Sequence, residues 1–168
     1  MEDEIVNKVA SSGLITINLE DFFPKEERVT IDIKSQLWEG IVLKEKDFRS
    51  FIKNTDWSLY SNKHVAITCS EDVVIPTWAF MLLSVALNPF AKTIHFGTLE
   101  SLEEILFDKA LEKINPKEYT NERIIIKGCS SKKVPVSAYI KLTTLLQPYV
   151  KNMMYGEPCS TVPLYKKA

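Results

Sequence analysis

Apolar and polar residues alternate over Leu14-Ile15-Thr16-Ile17-Asn18 and again over Val29-Thr30-Ile31-Asp32-Ile33. A period of two predicts short, half-buried strands. Phe22-Phe23-Pro24 closes the first strand, because proline has no N–H for a ladder. Residues Gln36 to Val42 fit neither period. From Leu43 to Asn54 the spacing becomes helical, with Phe48, Phe51 and Ile52 on one face. Asp47 stands early and Lys53 late, as the helix dipole favours.

A regular region follows. His64 to Thr68 predicts a strand ending at Cys69, then a polar loop from Ser70 to Ile75. Pro76 opens a helix, where its missing N–H costs nothing, and Pro89 bounds it. Lys92 to Phe96 predicts a strand closed by Gly97. Thr98, or alternatively Ser101, caps a helix running to about Ile114 and stopped by Pro116. Arg123 to Lys127 predicts a strand ending at Gly128-Cys129. Pro135 opens a further helix that stops before Pro148, and Lys151 to Tyr155 predicts a strand closed by Gly156. Trp78, Phe80, Met81, Leu82, Leu83, Val85 and Leu87 make the first of the two Pro-initiated helices apolar nearly all round, so it is expected to be covered on most sides. Lys141, Thr143 and Thr144 leave the second half-solvated.

These elements repeat. Cys69 to Gly97 and Cys129 to Gly156 share Cys-Ser, Pro, Ala-aromatic, Leu, Asn/Gln-Pro-aromatic, Lys and aromatic-Gly in the same order. The match extends back to Tyr60 and Tyr119, so the repeat spans about 60–97 and 119–156. Matched Pro, Gly, Lys and Cys are not demanded by periodicity, and the pattern reads as a duplication. Strand–helix–strand alternation implies parallel pairing with right-handed crossovers. The expected fold is therefore a single α/β domain over 1–168. Its mainly parallel sheet would be built from two duplicated strand–helix–strand units, with an N-terminal strand extension and a frayed 1–12. The end from Gly156 to Lys167 holds Cys159, Val162, Leu164 and Tyr165 between and beyond two prolines. It is expected to be extended and packed as an edge-covering strand, with a flap over the cysteines as the functional alternative.

At 168 residues the chain can bury a core, and its net charge of −1 lacks the basic surplus that phosphate binding needs. Nucleic acid is therefore not expected as a partner, nor is a membrane. The acidic start lacks a signal-peptide pattern, which reads as cytoplasmic. Three cysteines, an odd number, argue against a disulfide framework.

Cys69 and Cys129 end equivalent strands, where parallel sheets place their ligands. With strand order 2-1-3-4 they would flank one crevice, and Cys159 would approach the same edge. Cys69, Cys129 and Cys159 could then hold zinc or another thiophilic metal, with Glu157 or a water as fourth ligand. The competing reading makes the thiols small apolar core residues, as cysteine often is. His95 reads as a core histidine and His64 as a solvated strand-end residue. Glu71 and Asp72 in one repeat loop face Lys132 and Lys133 in the other, as solvated charges or a cross-repeat ion pair.

Ile75-Pro76-Thr77-Trp78-Ala79, Gly128-Cys129-Ser130, Val134-Pro135-Val136-Ser137-Ala138-Tyr139 and the Gly156-to-Lys167 segment together resemble a bacterial family classified as a domain of unknown function. The likeness runs from about Trp38 to Lys167. It implies an accessory role near sulfur mobilisation for iron–sulfur cluster assembly, and it brings no catalytic residues. A weaker likeness is to STAS-type domains, whose Asp-Ser-Ser-Gly phosphorylation loop is not found here. Three readings follow. One is a non-enzymatic accessory factor of iron–sulfur or thiol metabolism, with protein partners in that machinery. Another is a STAS-like interaction module with structural cysteines. The third is a thiol enzyme using Cys129, for which no base is identifiable. Oligomeric state stays open, a homodimer included.

Overall fold

The computed structural model describes residues 13–128 and 131–167. In chain order the strands and helices are β1 (Leu14–Asn18), β2 (Arg28–Asp32), β3 (Leu37–Trp38), β4 (Val42–Leu43), α1 (Glu45–Asn54), β5 (His64–Thr68), α2 (Thr77–Leu87), β6 (Thr93–Phe96), α3 (Leu99–Leu111), β7 (Arg123–Lys127), α4 (Val136–Leu146), β8 (Asn152–Glu157) and β9 (Ser160–Lys166). The protein is mixed α/β with parallel-rich sheets. Pro76 and Pro135 sit at the N-cap positions of α2 and α4, one residue ahead of the first helical turn. The stretch of mixed period resolves into the antiparallel β3–β4 ribbon, turned by Glu39 and Gly40 at positive φ.

The strands do not form one sheet. One sheet has the order β1-β7-β8-β9 and another β2-β5-β6. The order 2-1-3-4 is thereby corrected: the strands ending at Cys69 and Gly128, β5 and β7, belong to different sheets. Alternation and hydrophobicity define a strand but carry no record of which strand it pairs with. The chain accordingly divides into two compact units. One takes the described residues up to Pro24 and from Glu104 onward, the other Lys25–Glu103.

In the first unit β1 runs parallel to β7, with Leu14 opposite Arg123, and β7 runs parallel to β8. Ile124, Ile125 and Ile126 are all buried, as expected for a parallel strand covered on both faces. α4 lays Ala138, Leu142 and Leu146 on this sheet, at the i, i+4, i+8 spacing of one helix face, against Leu19, Phe107, Leu111 and Met153. β9 closes the sheet antiparallel to β8, so the expected edge-covering strand is present.

In the second unit β2 and β6 flank β5, all parallel. Ala79, Leu83 and Leu87 of α2 pack with Ile31, Ile33, Phe48, Trp57, Val65 and Ile67. The expected near-complete covering of α2 is corrected, because Met81 and Val85 are 63% and 73% exposed. His64 also differs from the expectation of a solvated residue. It is 3% exposed, with Nε2 3.4 Å from Glu26 Oε2.

Burial holds the His64 pKa below its ordinary 6.5, opposed by the Glu26 hydrogen bond and reinforced by the charges of Arg28 and Lys92. The ammonium of Lys92, hydrogen-bonded to Glu26, is the main cause that holds that carboxyl at about 2. An unfolded chain takes up the His64 proton before the folded one does. Stability therefore falls as pH drops below the ordinary histidine value, and again as it drops through the carboxylate range toward the depressed Glu26 value. The urea midpoint is expected to decline between about pH 7 and about pH 5, with a shallower decline in His64→Leu. Parallel pH profiles for the two proteins would discount this account.

Candidate functional site

Each unit uses an acid to hold the loop leaving its central strand: Asp32 at the end of β2, and Glu20 in the turn just after β1. In the second unit Asp32 Oδ1 accepts from the Lys34 amide at 3.0 Å and the Ser70 amide at 3.1 Å. Burial alone would raise the Asp32 pKa, but the Ser70 hydroxyl and these two amides hold it below the ordinary value. In the first unit the buried Glu20 accepts from the Ser131 amide at 2.9 Å and the Ser131 hydroxyl at 2.8 Å. The loop before α4 is thereby pinned to the sheet. Lys132 Nζ donates to the Glu20 carbonyl at 3.3 Å and lies over the Phe23 ring.

The pinned loop forms one end of a groove of about 840 Å³ within the first unit. Its floor is Ile126, Tyr139 and Tyr155, the two tyrosine rings meeting edge to face at 5.9 Å. Val136 and Ile140 of α4 and Leu164 of β9 also line it. Two local features open this space. β9 adds a strand beyond β8 on the side away from β7. A β-bulge then shifts the register so that Met153 pairs with Tyr165 and Met154 with Pro163, leaving Leu164 without an opposite residue. Gly128 is needed at the floor, because a Cβ there would lie 2.9 Å from Leu19 Cβ and 3.0 Å from the Tyr139 hydroxyl. The groove lies at the carboxyl ends of β7 and β8, where parallel sheets carry their ligands.

The residues predicted from sequence are distributed as follows. Cys69 is half-buried against the hydrophobic core of the second unit. Cys159 is exposed in the hairpin between β8 and β9 of the first. Glu157 ends β8 and ion-pairs with Lys127 at 3.2 Å. Cys129 lies outside the described residues. Among the described residues no group of three or more His, Cys, Asp or Glu side chains is placed to hold a metal ion. His95 is half-buried rather than core, with Nε2 2.9 Å from Ser101 Oγ. Thr98 caps α3, its hydroxyl oxygen accepting from the Ser101 amide at 3.3 Å.

Sequence reasoning missed the groove. Val136, Ile140 and Thr144, spaced i, i+4, i+8, mark a second face on α4. That face is exposed, with Ile140 at 63%. The bulge at Leu164 has no comparable sequence signal.

Fold and site together define a mixed α/β protein of two units with a groove at one sheet's carboxyl edge. The model of a family described as "Protein of unknown function (DUF2480)" matches residues 3–167, and the chain belongs to that family. No curated protein and no solved structure matches the chain. No helix among the described residues is long and apolar enough to cross a membrane.

Proposed function

We propose that this is a binding protein whose ligand occupies the groove between α4 and the β8–β9 hairpin. The carrying observation is a preformed concavity walled by Val136, Ile140 and Leu164 at the carboxyl edge of a parallel sheet. Its volume falls within the roughly 300–1,000 Å³ of small-molecule sites. Nile red, a neutral dye, tests the groove without involving charge. Its fluorescence is expected to rise with the wild type and to fall by more than about half with Ile140→Asp, which places a carboxylate on the apolar wall. Met81→Asp, on the exposed face of α2, should leave the signal intact. Equal losses in the two variants would remove the groove as the site.

A second reading keeps the thiols. β7 and β8 are adjacent strands, and the Lys127–Glu157 ion pair shows their carboxyl ends side by side. Cys129 directly follows Gly128, and Cys159 lies two residues beyond Glu157. Cys159 and Glu157 thus belong to the unit whose β7 leads in sequence to Cys129, whereas Cys69 belongs to the other unit. Metal retained by protein purified without chelator, and lost on Cys159→Ser, would support this reading and the accessory role in iron–sulfur metabolism. Metal content unchanged by that substitution would count against it.

The two units are read as copies of one ancestral unit. Asn62 and Asn121 both adopt positive φ, donating to Phe90 O at 3.0 Å and Tyr149 O at 2.9 Å. Lys92 and Lys151 donate in turn to Lys63 O and Glu122 O, both at 2.8 Å. Asparagine tolerates the left-handed region better than other side chains, so a shared backbone explains the repeated residue.

A further inference from the structure

We infer that the groove selects an anionic amphiphile, a carboxylate-type headgroup on an apolar body; this rests on the groove being the binding site. The body is set by the aliphatic walls and the tyrosine floor. Of the two lining threonines, Thr144 presents little polarity, because its hydroxyl donates to the Ile140 carbonyl at 2.8 Å. A ligand polar along its whole length would lose more hydration against Val136, Ile140 and Leu164 than these few hydroxyls replace.

The headgroup is set by charge. Lys132 and Lys133 both line the groove, at the loop that leads into α4. Lys127, the neighbouring cation on β7, is already paired with Glu157. The Glu20 carboxylate, held by the Ser131 amide and hydroxyl, sits beside Lys132 and offsets one of these two charges, which leaves Lys133 as the cation that sets the headgroup. Lys133 has no ion-pair partner among the described residues. An ammonium beside an apolar wall attracts an anion more strongly than one surrounded by water, because the wall lowers the local dielectric. The first turn of α4 adds to this, since Pro135 at its N-cap supplies no side-chain acceptor for the leading amides. The second unit provides an internal contrast. The equivalent loop before α2 carries Glu71 and Asp72, so its exposed Met81 and Val85 have acids nearby in sequence where α4 has lysines.

The test compares three twelve-carbon probes below their aggregation concentrations: dodecanoate, dodecanol and dodecylamine. Each is titrated calorimetrically into the full chain. Dodecanoate is expected to bind tightest. Lys133→Glu should weaken it about five- to tenfold and Lys133→Arg should restore it, while Ile140→Asp should abolish it. Circular dichroism of each variant verifies the fold, and the arginine variant keeps the charge test independent of any local disturbance. Dodecanol binding as tightly as dodecanoate, with both lost in Ile140→Asp, would keep the groove and overturn the headgroup. Tightest binding of dodecylamine would do the same. Failure of all three probes would overturn the groove itself. Co-sedimentation with anionic phospholipid vesicles, without binding of monomeric dodecanoate, would point to a membrane surface and overturn the soluble ligand proposed here.

Discussion

Replacing Gly156 by alanine is expected to destabilise the first unit by about 2–4 kcal/mol. Two independent costs combine there. The residue has φ +119°, a region that side chains with a Cβ rarely occupy. A Cβ would also lie 2.5 Å from the Ser160 carbonyl oxygen, a backbone atom that cannot rotate away. The β8–β9 hairpin would have to shift, and with it the wall of the groove. Gly40→Ala is the control, because its Cβ would meet nothing within 4 Å and only the backbone cost of roughly 1 kcal/mol applies. Urea midpoints followed by circular dichroism decide the matter. Equal losses at the two glycines would show that the close approach to Ser160 is unimportant.

Phe107→Ala is expected to cost about 3–5 kcal/mol, the range for truncating a buried phenylalanine. Phe107 is fully buried among Leu19, Leu111, Ile124 and Leu146, and meets the Phe23 ring edge to face at 5.8 Å. Such a loss is a large part of the ~5–15 kcal/mol that stabilises ordinary domains. The choice of probe matters. Trp38, Trp57 and Trp78 all belong to Lys25–Glu103, so tryptophan fluorescence reports the second unit. Circular dichroism reports both. The variant should lower the dichroism midpoint, and the fluorescence midpoint follows only as far as the second unit depends on the first. A stability from the dichroism curve within about 0.5 kcal/mol of wild type would contradict the assigned burial.

Local structure was largely legible in the sequence. Period-two runs predicted β1 and β2, the strand expected over Arg123 to Lys127 is β7, prolines bounded α2 and α4, and the end expected to be extended holds β9. Those features act over a few residues, and the responsible chemistry is written in adjacent letters. Long-range pairing was not legible. Nothing in Leu14–Asn18 selects β7 over β5, since both partners offer the same apolar run. The error in strand order followed from that, and the argument for three converging thiols lost its premise with it. His64 was misread for a related reason. A polar residue at a strand end looks solvated until the strands are paired in register. Arg28 lies opposite His64, which brings Glu26 of the preceding segment within reach. The groove depended on a bulge, and a bulge is a property of two strands together rather than of either one.

The pairing of β1 with β7 also sets an order of events during synthesis. β1 emerges from the ribosome early, yet its partner follows about a hundred residues later, with Leu14 opposite Arg123. The whole of Lys25–Glu103 is translated in between. At roughly 5–20 residues per second, β1 waits seconds for the strand it must join. Its Leu14, Ile15 and Ile17 are meanwhile exposed without a sheet to bury them, whereas β2 finds β5 after only a short interval. β1 is therefore open to non-native association until β7 emerges, for longer than β2 is before β5.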